Sequence, residues 1–509
     1  MLCVSLLIVS LDNTILNIAL PTLVRALRAT TTQLQWIVDA YAVVFAGLLL
    51  VAGSVGDRVG RKVLFIAGLV IFGAGSAGSA FSGSVDTLIV ARGVAGIGAA
   101  CIMPATLAII SDVFRSAEER GRAIGIWSGT TGLGIAIGPI AGGWLLAHYW
   151  WGSVFLINVP VCVAGITAAL LVVPNSRDPD PRPVDVTGAF LSMAGLSALL
   201  WAIIEAPVRG WGSPEVLLVG AGSLVVLAGF VLWERHSAHP MLVLEPFGNR
   251  RFSVAIAAVG LAVFALMGTL FVLTQYLQFS LGYSPLAAGI RILPVGAILA
   301  VTAVASSALD KWLGTKVLIT VALLIVAAGL WQLATTTTAE GFGHALVGML
   351  LLGAGAGVTI APATACVIGA LPRARAGVGS ATNSTALQLG GALGVGVMGS
   401  LLATRYQGRM TLVLAGHSIP SAAEHAILGS IGGALAVARV AGGTLGALLA
   451  AAARHAFVDG MDLALVVGAG VVGLSAVLVL VALPNRAPPG VGADADDGGH
   501  DEAYDDGRG

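Results

Sequence analysis

The sequence predicts an all-α polytopic membrane protein, and three observations carry that prediction. Hydrophobic residues make up 57% of the 509 residues and only 10% are charged, against about 25% in a soluble domain. The mean hydropathy is +0.94. The apolar runs are long and uninterrupted, whereas a membrane β-barrel would alternate polar and apolar residues over about ten positions. This composition excludes a soluble enzyme, a disulfide-stapled secreted domain and a disordered chain.

A membrane-spanning helix needs about 20 mostly apolar residues, and the chain contains fourteen such runs. The first run begins almost at Met1 but shows no clear cleavage site and carries Asp12, so we expect a retained helix and not a signal peptide. The stretch 425–453 is either a fifteenth span or an outer-surface helix, and Arg439 in its middle favours the surface helix. The fourteen runs lie near 2–24, 34–55, 63–81, 87–110, 122–147, 153–173, 187–206, 214–233, 252–275, 284–308, 315–334, 343–369, 378–402 and 461–483.

The distribution of Lys and Arg predicts the topology. With the N-terminus inside, 17 of the 26 basic residues fall in cytoplasmic loops or the C-terminal tail and seven fall outside, which is the bias of the positive-inside rule. We therefore expect both termini in the cytoplasm. The lysine-poor, Ala- and Gly-rich composition is typical of a high-GC bacterium, so the expected location is a bacterial plasma membrane. The acidic tail 484–509 is expected to be disordered.

An internal repeat predicts how the helices are organised. The segment Gly121–Leu146 aligns without gaps on Gly377–Leu402, and weaker matches elsewhere follow at nearly the same offset. Eight helices separate the copies, so the simplest arrangement is two six-helix bundles with two inserted helices. Parallel halves of this kind are a transporter design in which one half rocks against the other around a central site. The predicted parts are 1–173, the inserted pair 174–251, 252–483 with a long outer loop at 403–460, and the tail 484–509.

Charged residues inside the predicted spans are the first functional candidates. An ionised Asp12 in helix 1 costs about 2.5–3.5 kcal/mol, so it must face the protein interior, pair with a base or take up a proton. Asn13 and Asn17 are four residues apart and share one face, where they could line a cavity. Arg92 either extends to the interface or relays charge with a membrane acid. Asp39 is a second proton or cation site, or else a structural acid paired with Tyr or Arg.

Two glycine-rich motifs are candidates for gating. Residues 53–62, GSVGDRVGRK, predict a tight cytoplasmic turn with fixed charges, in which glycine permits the turn; a purely topogenic basic loop is the alternative. Helix 5 contains a small residue every four positions and an internal proline, which favours close helix packing and a bend at the seam between the halves. The gating candidates are Gly53, Asp57, Arg58, Gly60, Arg61, Lys62, Gly134, Gly138, Pro139, Gly142 and Gly143.

Together these strings resemble the motifs of the major facilitator superfamily, in particular its fourteen-span drug:proton antiporter branch of QacA/EmrB-like multidrug exporters. GSVGDRVGRK is similar to the superfamily's cytoplasmic-loop motif, and GLGIAIGPIAGG to the helix-5 motif associated with antiporters. LDNTILNIALP and WGSVFLINVP resemble motifs of the fourteen-span branch. The resemblance implies a major facilitator fold, and it carries functional roles over to Asp12, Asp57, Arg92, the helix-5 glycines and Pro139.

The function that the resemblance implies is export of lipophilic, often cationic drugs or antibiotics in exchange for protons, by alternating access. An importer or facilitator of another solute, and a receptor or scaffold that does not transport, are the alternatives. The expected partners are a drug-like small molecule, protons and the lipid bilayer. We expect a monomer, no nucleic-acid partner, no cofactor and no enzymatic activity, since no Walker sequence or histidine cluster is present.

Several residues are weaker candidates by position alone. Trp127 and Gln275 could line a substrate cavity, although packing explains them equally well. Glu205 is expected to be a solvated helix end, and Arg291 either balances Asp12 or Asp39 or simply packs. The four cysteines lie in apolar runs without metal-ligand spacing, so we interpret them as small buried hydrophobic residues.

Overall fold

The structure is a computed structural model that describes residues 2–114, 116–174, 176–177, 183–337, 341–371, 376–417 and 419–484. Every regular element in these residues is a helix. A 3₁₀ turn at Glu245–Gly248 precedes α10, and a π-helical turn at Tyr276–Ser280 extends it. The helices are α1 Leu2–Leu27, α2 Thr31–Val59, α3 Arg61–Ala80, α4 Val85–Val113, α5 Ala117–His148, α6 Ser153–Leu156, α7 Asn158–Val172, α8 Val186–Arg209, α9 Pro214–His236, α10 Arg250–Gln275, α11 Pro285–Leu313, α12 Thr315–Ala334, α13 Phe342–Gly369, α14 Ala376–Leu414, α15 Ser421–Gly429, α16 Ile431–Ala441 and α17 Gly443–Ala482.

The helices match the predicted spans in position. Thirteen stretches within the described ranges are long and apolar enough to cross a membrane, with α6 and α7 forming one stretch. The 32-residue helix α5 covers the remaining predicted run, 122–147. The all-α membrane architecture is therefore confirmed, and the crossing number of fourteen stays a prediction.

The structure corrects the expected long loop over 403–460. Helix α14 continues to Leu414 and α17 already begins at Gly443, with α15 and α16 between them. Ala and Leu make up half of the α17 extension over 443–460, and both residues favour helix. With eleven residues, α16 is about 16 Å long, too short to cross a hydrocarbon core of about 30 Å. The stretch 425–453 is therefore broken at Ser430 and Gly442 and is not one spanning helix.

The repeat in the sequence corresponds to a repeat in the packing. In the first half, Gly134 of α5 lies against Ser10 of α1. In the second half, the equivalent Gly390 of α14 lies against Gly260 of α10. Both residues of this second pair follow their counterparts in the first pair by about the offset of the sequence repeat. The pairs α2 with α4 and α3 with α4 recur as α11 with α13 and α12 with α13. Helices α1–α5 and α10–α14 thus repeat one packing scheme.

Two seams join the halves. One is formed by α2 and α14, and the other by α5 and α11. We call the end of the bundle at which α1 ends and α2 begins the outer end, following the predicted topology. The inserted helix α8 packs on both α2 and α14, while α9 packs mainly on α8. The inserted pair therefore covers the α2–α14 seam. The acidic tail beyond residue 484 lies outside the described residues.

Candidate functional site

Asp12 is part of a buried charge pair in the first half. Its side chain is 1% exposed, and Arg92 Nη1 of α4 lies 2.5 Å from Asp12 Oδ2. Asn158 Nδ2, at the start of α7, donates to Asp12 Oδ1 at 2.9 Å and also lies 3.2 Å from Ser76 Oγ. Three helices thus converge on one carboxylate, whose charge is compensated by the arginine.

Arg92 is enclosed and does not extend to the interface. Its guanidinium lies 4.4 Å from the ring centroid of Tyr41 and 5.7 Å from that of Phe155. Its Nε donates to the carbonyl of Ile37 at 3.4 Å, while Nη2 has no hydrogen-bond partner among the described residues. Of the two interpretations of Arg92, the structure shows the pairing with a membrane acid.

Asp39 is buried in a different environment. Its side chain is fully enclosed (0% exposed), and neither carboxylate oxygen has a hydrogen-bond partner within the described ranges. A Cβ placed on Gly396 of α14 would lie 3.6 Å from Asp39 Oδ2, so the carboxyl group faces the second half across the α2–α14 seam. An unpaired carboxylate in such a place is costly. The site therefore suits the neutral, protonated form or a cation beside the charged form.

Gln35 links the halves one helical turn from Asp39. Its Nε2 donates to the carbonyl of Gly396 at 2.8 Å and lies 3.2 Å from Ser400 Oγ, both on α14. A Cβ on Gly399 would lie 3.0 Å from Gln35 Cγ. The glycines of α14 therefore let α2 approach closely at this level.

The inserted helix α8 closes the same region from the side. Leu200 and Ile204 pack with Ala42 and Val43 of α2 and Ala392 of α14. At the outer end, Trp36 Nε1 donates to Glu205 Oε1 at 3.4 Å, and Trp211 Nε1 of the α8–α9 turn donates to Thr404 Oγ1 at 2.9 Å. Helix α8 is thus bonded to both halves, and its apolar face shields the Asp39 level.

Of the two asparagines of helix 1, only Asn17 lines a cavity with its side chain. Asn17 is buried and lines a small cavity of about 20 Å³ together with Thr14, Pro139, Thr274 and Ile292. Asn13 contributes its backbone carbonyl, which accepts from Asn17 Nδ2 at 3.1 Å.

The two weaker cavity candidates fare differently. Gln275 is fully buried, but it lies outside the lining of this cavity and donates to the carbonyl of Phe271 at 3.1 Å. The side chain of Trp127 lies outside the described part of the structure.

The cytoplasmic-loop motif forms the junction of α2 and α3. Gly60 has φ +111°, a conformation that favours glycine. Arg61 lies between two acids, with Nε 3.8 Å from Asp57 Oδ1 and Nη1 3.4 Å from Asp112 Oδ1 of α4. Lys62 Nζ donates to the carbonyl of Leu170 of α7 at 3.1 Å, while Arg58 is exposed. The motif ties the inner ends of α2, α4 and α7 together.

An open cavity of about 310 Å³ lies beside this junction, between the first half and α14. Gly53, Asp57 and Arg61 line it from the first half, and Ser380 and Ser384 from the second. The outer halves of the seams, in contrast, are in contact at Gln35 and Gly143. At these two seams the halves are therefore in contact toward the outer end, and the cavity beside the α2–α3 junction lies toward the inner end.

The helix-5 glycines contact two different helices, α1 and α11. Gly134, Gly138 and Gly142 lie against α1, where Thr14 Oγ1 also donates to the carbonyl of Gly134 at 3.2 Å. Gly143 lies against the second half, since a Cβ there would be 2.7 Å from Leu286 Cα of α11.

The carbonyl of Pro139 likewise lies against Gly289 of α11. Pro139 and Gly143 therefore lie at the seam between the halves, as does Ala136 against Gly296 of α11, and the three glycines of the four-residue repeat pack within the first half.

Two weaker candidates are resolved by their contacts. Glu205 is not a freely solvated helix end, because it accepts from Trp36 and lies 3.3 Å from Arg209 Nε. Arg291 balances neither Asp12 nor Asp39; its guanidinium lies 3.8 Å from the ring centroid of Tyr283 and 5.4 Å from that of Phe342.

Sequence reasoning missed Asn158 and Gln35. Asn158 stands in the quoted string WGSVFLINVP, and Gln35 is a polar residue four positions before Asp39 on the same helix face. Both residues could have been identified as candidates from the sequence, because each places a polar side-chain amide within an apolar run.

Two similarly packed helical halves, with charged residues enclosed between membrane helices, define a polytopic membrane transporter and not an enzyme. The chain belongs to the Major Facilitator Superfamily, whose model matches residues 2–395.

Relatives and solved structures agree with this membership. The chain is 34% identical to the "Multidrug efflux pump LfrA" of Mycolicibacterium smegmatis, over 94% of this chain and 95% of that protein. It is 34% identical to the "Tetracenomycin C resistance and export protein" of Streptomyces glaucescens over 79% and 75%, and 32% identical to the "Methyl viologen resistance protein SmvA" of Salmonella typhimurium over 90% and 92%.

Among solved structures, an inward-facing bacterial homologue of the human lysosomal transporter Spinster matches with TM-score 0.66 and 18% identity, over 96% and 98% of the chains. The inward-open xylose transporter XylE of E. coli matches with TM-score 0.58 and 16% identity, over 96% of each chain. These two likenesses show the shared fold.

Proposed function

We propose that this protein exports lipophilic, often cationic, drug-like compounds from a bacterial cell in exchange for protons, by alternating access. The names of its relatives, which describe efflux and resistance proteins, support the drug-export part of the proposal. The observation that carries the proton-coupling part is Asp39, a fully buried carboxyl group without a hydrogen-bond partner among the described residues, at a seam between the halves.

The proposed cycle is a competition for this carboxyl group. In the inner-open state, a lipophilic cation enters from the cytoplasm or inner leaflet through the cavity beside Asp57 and displaces the proton from Asp39. The halves then rock, and the contacts of Gln35 with α14 break. At the outer side a proton binds Asp39 again, which neutralises it and releases the cation. Because the empty carboxylate is costly, the carrier returns only when loaded with a proton.

Asp12 is proposed as a second coupling group that acts through Arg92. With the arginine in place, the negative charge of the Asp12 carboxylate is compensated by the Arg92 guanidinium. Proton uptake by Asp12 requires Arg92 to move away, and the unpaired Nη2 of Arg92 leaves it a donor for a new partner. The gating residues of the α2–α3 junction, and Pro139 with Gly143 at the other seam, are proposed as the elements that open and close the two ends.

The test uses purified protein in proteoliposomes with tetraphenylphosphonium, a lipophilic cation, as the probe. We expect gradient-driven transport of the probe in the wild type, abolition by a protonophore, and at least a tenfold loss in Asp39→Asn. The matched control is Asp86→Asn, an exposed acid in the first turn of α4, which should transport normally.

Two results would overturn the proposal. Undiminished coupled transport by Asp39→Asn would remove Asp39 from the mechanism. Proton and probe movement in the same direction would favour an importer on the same scaffold.

A further inference from the structure

A large cavity lies at the outer end of the molecule, separate from the coupling site. Its volume is about 880 Å³, and it is formed by the end of α1, the π-helical turn after α10, helices α15 and α16, and α17. At its lining, Gln278 Nε2 donates to the carbonyl of Ile18 of α1 at 2.9 Å, a contact between the two halves. Val24, Phe279, Leu435 and Val437 give the cavity apolar walls. We call this cavity the outer vestibule.

The charge of the outer vestibule is one-sided. Its lining contains Arg25, Arg28, Arg439 and Arg454, from three different parts of the chain, and no acidic residue. None of these four arginines forms an ion pair with a described residue.

Two other arginines at this end differ. Arg209 pairs with Glu205 and Glu215, and Arg409 pairs with Asp459. Four arginines without an ion pair to a described residue therefore surround one cavity at the outer end, although the positive-inside rule disfavours basic residues there.

Two of the arginines are held in place by the same residue. The Arg25 guanidinium lies 5.5 Å from the ring centroid of Phe279, and Arg454 Nε donates to the carbonyl of Phe279 at 3.3 Å. Arg25 also interacts electrostatically with Arg439 across the cavity. Like charges repel at this range, so the arrangement creates a positive potential that a bound anion would relieve.

We propose that the outer vestibule binds an amphipathic oxyanion, a phosphate-type head group on a short apolar body. Guanidinium groups are the preferred partners of phosphate and carboxylate groups, because one guanidinium group can donate two parallel hydrogen bonds to two of their oxygens. The apolar walls accommodate the hydrophobic part of the ligand, and the volume is that of a small-molecule site. The ligand comes either from the outer leaflet, as an anionic phospholipid, or from solution. This site does not depend on the proposed export activity.

The experiment measures binding of butyl phosphate to the full-length protein in nanodiscs of zwitterionic lipid by isothermal titration calorimetry, with empty discs as background. We expect saturable binding that weakens with added salt. Arg25→Gln and Arg439→Gln should each weaken it about tenfold. They lie on different helices, so one informative variant remains if the other folds poorly. The matched control is Arg405→Gln, an exposed arginine on the outer extension of α14 that does not line the cavity, and it should bind within twofold of wild type.

A second arm separates the sources of the ligand. Discs that contain phosphatidylglycerol should raise the apparent Kd for butyl phosphate in the wild type if a lipid head group occupies the vestibule, and should leave it unchanged if the ligand is soluble. Absence of saturable binding in both kinds of disc would overturn the proposal, as would an equal loss in Arg405→Gln and the two vestibule variants.

Discussion

At the scale of single residues, the two membrane acids of the first half have opposite environments. Asp12 has an arginine and an amide as partners, whereas Asp39 has no hydrogen-bond partner among the described residues. The sequence shows both as acids within apolar runs, and it does not show this difference. The difference arises because α4 and α7 bring Arg92 and Asn158 to Asp12, and both are distant in the chain. Tertiary packing thus decides which of the two acids has a charged partner.

The buried pair leads to a stability prediction. Asp12→Asn leaves the Arg92 charge buried without its partner, which we expect to cost about 3–5 kcal/mol of unfolding free energy. The double variant Asp12→Asn/Arg92→Gln removes both charges and should recover part of this loss. The measurement is SDS-induced unfolding of the purified protein.

The matched control for this prediction is Asp459→Asn, which breaks an Asp–Arg pair whose side chains are 40–47% exposed. Such exposed pairs contribute about 0–1 kcal/mol. If Asp12→Asn were no more harmful than Asp459→Asn, the enclosed pair would not be a structural element of the first half.

At the scale of helices, the inserted pair has an asymmetric position. Helix α8 covers the α2–α14 seam, and its Leu200 lies next to Gly396 and the Asp39 carboxyl group. The insertion of two helices follows from the repeat in the sequence, but the side on which they pack does not. That choice depends on Trp36, Glu205 and Trp211, whose partners lie on other helices.

The contact of α8 is open to test. Leu200→Ala should leave a cavity beside Asp39 and cost about 2 kcal/mol, the low end of the range for such changes. The value is low because unfolding in a membrane environment does not expose the side chain to water. Leu224→Ala on α9, where the side chain is 61% exposed, is the matched control and should change stability by less than about 0.5 kcal/mol. Equal effects of the two substitutions would show that α8 does not pack tightly at the seam.

The α5–α11 seam depends on glycine in the same way. A Cβ on Gly289 would clash with the carbonyl of Pro139, so Gly289→Val should force the outer ends of α5 and α11 apart. In a variant without native cysteines, we expect Thr274→Cys, which lines the small cavity beside Asn17, to react faster with an impermeant maleimide added outside. Gly222→Val on α9 has open space around its Cβ and should leave the reactivity unchanged. Unaltered labelling in Gly289→Val would argue against a glycine-dependent outer closure.

At the scale of the whole molecule, the sequence predicts the arrangement of the helices better than it predicts where individual helices begin and end. The apolar runs predict the helices because a spanning helix depends on local composition, and the repeated glycine pattern predicts the two halves because similar segments pack in similar ways. The apolar runs did not predict the helical extensions to Leu414 and from Gly443. A search for runs of about 20 apolar residues finds only the part of a helix that lies in the membrane, whereas the helix itself can continue beyond the membrane boundary.

The arrangement of the whole molecule predicts that relative movement of the halves is needed for transport. Gln35→Cys and Gly399→Cys would place two thiols across the α2–α14 seam, since a Cβ on Gly399 lies 3.0 Å from the Gln35 Cγ position that a cysteine Sγ would take. In a protein whose other cysteines are replaced, oxidation should stop tetraphenylphosphonium transport, and a reductant should restore it.

The matched control for the seam cross-link lies within one half. Gly73→Cys can pair with the native Cys162, because a Cβ on Gly73 would be 3.3 Å from Cys162 Cβ, and both helices, α3 and α7, belong to the first half. If the halves rock as rigid bodies, this second disulfide should leave transport nearly unchanged. Equal inhibition by the two disulfides would point to movement within the halves, and full transport with the seam cross-linked would show that the α2–α14 contact does not open.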